Sequence, residues 1–369
     1  MVLLRCVQGI VSTLVLISVC LIGAYKTVSD DTLRRLPRPG LDFDIYHGPI
    51  LAPILRTRVP GTPGAEAVRD HFVNFFRSSL PEWKIELHNF TAQTPVSNNR
   101  EISFTNFIAF RDPPGINEGD TARLTLVAHA DSKLKPTGFI GAIDSAAPCA
   151  IIMHAVRSIY IALTRKWSSE AYPSNDTHGI QVIFTDGEER FSDDSSNLVD
   201  DLYGSRTLAA DWEMQEYPPT ARYPNRLASI SLFVLLDLLG TSEPVIASNY
   251  NTTHWVYKNI ARLEARLRQL GQFKSISTKK DTSAVRSWFI DSDREARPGH
   301  IVDDHVPFYS RGVKILHIID YDPFRGFPGV WHTLDDDGQH LDLAAVEDWS
   351  LLMTAFLAEW LHLEGYMDD

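Results

Sequence analysis

Four short runs constrain this chain more than anything else in it. They are "ARLTLVAHAD", "GIQVIFTDGEE", "LASISLFVLLDLLG" and "GVKILHIID". Each is apolar almost without interruption, which suits a strand covered on both faces rather than one with a wet side. Helical patterns separate them. "TPGAEAVRDHFVNFFRSSL" reads as an amphipathic helix behind a Thr-Pro start signal. "SAAPCAIIMHAVRSIYIALTRKW" reads as one long apolar helix, and "LYGSRTLAADW", "THWVYKNIARLEARLRQLGQ" and "AAVEDWSLLMTAFLAEWLHLEG" as three more. Strands alternating with helices imply a mostly parallel sheet with helices on both faces. "WKIELHNFTA" and "REISFTNFIAF" add a strand pair, expected to be antiparallel at the edge. The expectation is a single α/β domain over residues 43–369, with a mixed, mostly parallel central sheet.

In such sheets the site lies at the carboxyl ends of the strands. Three of the four runs end in "HAD", "DGEE" and "DLLG", so their polar residues emerge at one edge. His129 and Asp131 come from the first, Glu188 and Glu189 from the second and Asp237 from the third. Asp144 precedes the long helix, and His332 lies beyond the fourth run. Two histidines and several carboxylates converging there make a plausible zinc set. Alone, Asp144 reads equally as a helix cap, His129 as a satisfied core histidine, and the acids 335–337 as a solvated loop. Asp237 is harder to explain that way, because a carboxylate in so apolar a strand needs a partner or a metal. Glu188 and Glu189 are adjacent, so strand geometry sends them in different directions.

The rest of the chain sets bounds. With 44% apolar and 10% aromatic residues, 369 residues can bury a real core. A net charge of −12 and no basic cluster argue against nucleic acid. Residues 1–26, "MVLLRCVQGIVSTLVLISVCLIGAYK", read as a signal peptide or signal anchor. That places the chain in the secretory pathway, secreted or in the Golgi or ER lumen, with membrane contact only through an uncleaved segment. Three sequons fit, at Asn89, Asn175 and Asn251. Residues 27–42 read as a linker or wrapping arm. Cys6 and Cys20 lie in the apolar segment, so Cys149 stands alone in the body and reads as a buried small hydrophobe.

One set of strings, in order, carries a resemblance. "VAHADSK", "GFIGAIDSAAPCAIIMHAVRSI", "FTDGEER", "LYGSRTLA", "VLLDLLG", "DDHVPFYSRGVKILHII" and "FPGVWHT" resemble the glutaminyl-peptide cyclotransferases of the zinc aminopeptidase-like clan. The likeness runs from about residue 65 to the end. "LYGSR", "DDHVPF" and Trp331 directly before His332 are its more specific parts. The resemblance implies cyclisation of N-terminal glutamine, more slowly glutamate, on peptides and proteins. It implies one zinc per chain on Asp144, Glu189 and His332, with Glu188 as general acid/base. Asp237 and Asp303 would be its acidic partners and Ser145 part of their network. Trp331, Phe327, Ile301 and His317 would form the substrate pocket. The chain is read as a monomer.

Several positions depart from the family. Ala128 stands where a cysteine would pair with Cys149, and Asp193 and Asp194 replace an aromatic residue after "DGEE". The segment before Trp331 is longer, and its "FP-x-VWH" spacing favours Phe327 over Phe324 in the pocket. The main rival is a clan aminopeptidase with two zinc ions on His129, Asp144, Glu189, Asp237 and His332. In that enzyme Glu188 would activate water. A non-catalytic member of the fold is a further rival, against which stands the complete ligand set.

Overall fold

Six strands form one sheet in the order β1-β2-β4-β3-β5-β6. They are β1 (Lys84–Gln93), β2 (Glu101–Arg111), β3 (Ala122–His129), β4 (His178–Thr185), β5 (Ile230–Asp237) and β6 (Ile315–Ile319). The structure is a computed structural model that describes residues 25–169, 176–192, 198–275, 287–290 and 301–367. The first 24 residues, the sequon at Asn175 and Asp193 and Asp194 lie outside these.

The four apolar runs are the parallel strands β3 to β6. Every residue of β3 and of β6 is buried, which explains why neither alternates. The predicted pair β1 and β2 is antiparallel and closes one edge, with β2 antiparallel to β4. Register brings the strand ends level, His129 beside Thr185 and Asp237 beside Ile319.

Helices cover both faces. Helix α1 spans Asp30–Arg34, and α2 spans Pro63–Ser79. Thr62 caps α2 from the Ala65 amide, and Pro63 supplies a preset φ in the first turn. Its buried stripe of Val68, Phe72, Phe75 and Phe76 follows the 3.6-residue period. Phe72 meets Phe184 of β4 with ring centroids 4.4 Å apart. Burying one such ring stabilises the fold by about 1.5–3 kcal/mol.

The predicted single helix from Ser145 is instead three pieces. A wide turn covers Ala142–Ala146, followed by α3 (Ala147–Ser158) and α4 (Tyr160–Ser168), which meet at Ile159. In the wide turn Asp144 and Ser145 take non-helical angles (φ −119°, ψ 75° and φ −127°, ψ 46°). Asp144 therefore does not cap the helix. The non-helical stretch lets its side chain leave the helix axis for the strand edge. The span Ala142–Ser168 is apolar enough to cross a membrane, but it is mostly buried within the protein. The remaining helices are α5 (Tyr203–Met214), α6 (His254–Gln269), the short α7 (His305–Tyr309) and α8 (Leu343–Trp360).

Residues 28–43 lie against the body, with Val28, Leu33, Leu36 and Phe43 in the core. The Val28 amide donates to Glu359 Oε1 of α8 at 3.1 Å, and Arg266 of α6 donates to the Val28 carbonyl at 2.8 Å. Cys149 is fully buried and free, its thiol donating to the His129 carbonyl at 3.3 Å.

Candidate active site

The carboxyl edge of the sheet opens into a pocket. Asp144, Glu188, Glu189, Asp237, Ile301, Asp303, Phe327, Trp331 and His332 line it, all of them expected from the sequence. Arg190, Leu238, Val302 and Ile319 complete the wall. Phe327 stacks near Trp331 with centroids 4.2 Å apart, whereas Phe324 is 89% exposed, so Phe327 is the pocket aromatic. Trp331 in turn lies 3.8 Å over the His332 ring.

Asp144, Glu189 and His332 bring their donor atoms within 4.8 Å of one another. His332 Nε2 is 3.5 Å from Asp144 Oδ2 and 3.4 Å from Glu189 Oε2. Those separations are long for hydrogen bonds. They match the edge of a tetrahedron, since two ligands about 2.1 Å from a shared zinc stand about 3.4 Å apart. Asp144 Oδ2 and Glu189 Oε1 are also buried with no hydrogen-bond partner. Buried carboxylate oxygens normally find a donor, so the trio fits a cation in chemistry and in spacing.

The paired glutamates are held by one residue. Asp131 is buried and accepts the Glu188 amide on Oδ1 at 3.2 Å and the Glu189 amide on Oδ2 at 3.0 Å. This fixes the backbone of both, so the two side chains leave on separate courses. Burial pushes the Glu188 carboxyl well above its ordinary value; Asp303, Glu189 and Asp304 add repulsion, and His129 opposes them.

A second group lies deeper. His129 Nε2 is 2.8 Å from Asp144 Oδ1 and 3.6 Å from Asp237 Oδ1, and its Nδ1 is 3.6 Å from Asp131. Burial alone would lower its pKa, but the hydrogen bonds to these three carboxylates outweigh it and push the imidazole well above its ordinary value. Ser145 Oγ and the Leu238 amide (2.9 Å) both donate to Asp237 Oδ1. His317 Nε2 is 2.8 Å from Asp303 Oδ2. Ser145 and His317 are thus not part of the pocket lining among the described residues. They stand behind Asp237 and Asp303 and orient them.

The acids 335–337, expected to be solvated, are not all so. Asp336 is 1% exposed, accepts the Ile143 amide at 2.7 Å on Oδ1, and with its carbonyl accepts the Ala142 amide at 3.1 Å. Arg58 was not singled out by the sequence and is fully buried beside the same turn. Neither carries a motif. Asp336 had one available signal, its place four residues after His332 in the same loop.

Residues 113–357 match Peptidase family M28. The glutaminyl-peptide cyclotransferase of Bos taurus is 35% identical over 319 residues, 85% of this chain and 81% of that one. The chain belongs to the glutaminyl-peptide cyclotransferases of peptidase family M28. A cyclotransferase-like protein of Mus musculus is 36% identical over 332 residues, covering 89% of this chain and 79% of the relative. Among solved structures, the glutaminyl cyclase of Macrostomum lignano superposes with a TM-score of 0.73 at 28% identity, over 92% of this chain and 95% of that one. In this member Ala128 lies on β3 and Cys149 on α3, and the Cys149 thiol is buried and free.

Proposed function

We infer that this enzyme converts the N-terminal glutamine of peptides and proteins into pyroglutamate with release of ammonia, and N-terminal glutamate more slowly with loss of water. The observation that carries the reading is Glu188 beside the Asp144–Glu189–His332 trio, in a pocket walled by Trp331, Phe327 and Ile301. In our reading the trio holds one zinc. Held by those three residues, a zinc would supply Lewis acidity toward the substrate's γ-carbonyl oxygen.

The chain's own residues do the rest. Closing a five-membered ring needs the α-amine held against the γ-carbon, and the narrow aromatic wall restricts the side chain to that rotamer. Glu188 takes a proton from the α-amine as the new C–N bond forms. It returns that proton to the departing nitrogen as the old C–N bond breaks, so one residue serves both steps. Burial and neighbouring acids raise its proton affinity, which suits a group that must hold a proton between the two steps. Asp237 and Asp303, oriented by Ser145 and His317, support that network. Phe327 and Trp331 limit bulk water, so the amine attacks in preference to hydrolysis.

The proposal extends to the setting. Residues 1–26 carry the chain into the secretory pathway as signal peptide or anchor, with exposed Asn89 and Asn251 open to glycosylation, and it works as a monomer. Incubation with a Gln-peptide and a Leu-peptide tests the activity. Ammonia from the first, lost on chelation and restored by zinc, is expected. Free leucine without ammonia would establish the aminopeptidase reading instead. Mass spectrometry of the mature N-terminus and size-exclusion chromatography test the setting.

A further inference from the structure

We propose that Arg58 and Asp336 are positioning residues that clamp the turn carrying Asp144, and so set the enzyme's affinity for zinc. The inference rests on Asp144 being a zinc ligand, as read above.

Arg58 is completely buried, yet among the described residues its side chain forms no ion pair with a carboxylate. All five of its side-chain N–H groups are accounted for by backbone carbonyls. Nε donates to Ala130 at 2.6 Å. Nη1 donates to Ile140 and, at 3.4 Å, to Arg56. Nη2 donates to Gly141 at 3.0 Å and to Asp144 at 3.3 Å. A buried guanidinium is costly to desolvate, and here every donor is spent on holding backbone. Three of the five acceptors lie in the single stretch 140–144. That stretch has a tight shape: Gly141 is left-handed (φ +63°), and a Cβ there would sit 2.0 Å from the Asp144 carbonyl. A planar fork spanning several carbonyls is what locks such a turn, and the three donors of a lysine radiate from one point instead.

Asp336 grips the same turn from its amide side, through Ile143 and Ala142. It sits in the loop of His332, so it ties the backbone of one ligand to that of another. The turn is therefore held by its carbonyls on one side and by its amides on the other, with Asp144 at its exit. Residues behind metal ligands that fix their orientation typically contribute 10–100-fold to metal affinity.

The experiment is zinc affinity, measured on purified full-length protein by competition with a chelator of known affinity. Arg58→Met and Asp336→Ala are expected to weaken zinc about tenfold or more. Arg58→Lys should recover only part of the loss, because it restores charge without the fork. KM at saturating zinc should move little. Arg266→Met is the control: it breaks contacts with Val28 and Asp30 far from the site, so it should lower Tm and leave zinc affinity unchanged. Should Arg58→Met fail to fold, Arg58→Lys and Asp336→Ala carry the test. Zinc affinity at the wild-type value in folded Arg58→Lys and Asp336→Ala overturns the clamp, as does an equal loss in Arg266→Met. Asp144→Ala separates the two claims: if it keeps zinc, the ligand assignment itself falls; if it loses zinc while the clamp variants do not, only the clamp falls.

Discussion

His129 and Asp144 touch directly, Nε2 to Oδ1 at 2.8 Å, in a wholly buried contact. That contact engages Asp144 Oδ1 and leaves Oδ2 to the Glu189–His332 side; His129, Asp144 and Asp237 also converge closely enough to hold a cation, so the metal count separates a one-zinc from a two-zinc site. Wild-type protein is expected to bind one zinc per chain. His129→Ala should still bind one, with affinity lowered about 10–100-fold because Asp144 loses its orienting donor. Metal analysis after dialysis checks this; two zinc ions in the wild type and one in the variant would favour the aminopeptidase arrangement.

The paired glutamates should separate cleanly. Glu188→Gln keeps the shape of the pocket and is expected to lose about 10²- to 10⁴-fold in kcat with zinc content unchanged. Glu189→Gln should lose zinc itself. Ammonia release and metal content on the same preparations distinguish the two, and retained turnover in Glu188→Gln would remove it as the base.

Pocket aromatics should act on binding more than on chemistry. Phe327→Ala opens the wall beside Trp331 and is expected to raise KM several-fold while changing kcat less. Phe324→Ala lies nearby in sequence but is 89% exposed, so both constants should stay within about twofold. Steady-state kinetics with a Gln-peptide reads both.

Acid stability should depend on Asp176. It accepts hydrogen bonds from Lys166 Nζ (2.7 Å) and from the His178 amide (3.1 Å), and its Oδ1 lies 2.7 Å from His178 Nδ1. Burial alone would raise its carboxyl pKa, but these partners together hold it below the ordinary carboxylate value. A group depressed in the folded state adds stability above its unfolded value, about 3.9, and that stability disappears as pH falls through the folded value. Asp176→Asn should therefore cost about 1–3 kcal/mol at pH 7. The gap from wild type should narrow as pH falls below about 3.9 and go on narrowing through the lower folded value. Denaturant titrations across that range measure it, and a constant gap would contradict the ionic origin.

Much of this was written in the sequence because of one physical fact. A strand buried on both faces must be apolar until it ends, so "HAD", "DGEE" and "DLLG" mark where β3, β4 and β5 reach solvent. The pocket followed from those endings. What stayed illegible depends on backbone shape. The departure of Asp144 from helical angles has no signature in "GAIDSAAP", which reads as a cap before a helix. Arg58 binds carbonyls, which every residue possesses, so no spacing pattern reveals its partners. Asp336 sits in an acidic triplet whose flanking members do face water, and only the folded loop distinguishes it.

Helix α8 has 18 residues and so runs about 27 Å. Its first turn adjoins the catalytic edge, where the Asp342 amide bonds the Gly240 carbonyl just past β5. Its last turn meets Tyr25 through Trp360, with centroids 6.3 Å apart. The leading arm thus fastens to the far end of a stiff spar. Strain applied at residue 25 therefore reaches the strand-end turn at Gly240 through one continuous helix about 27 Å long.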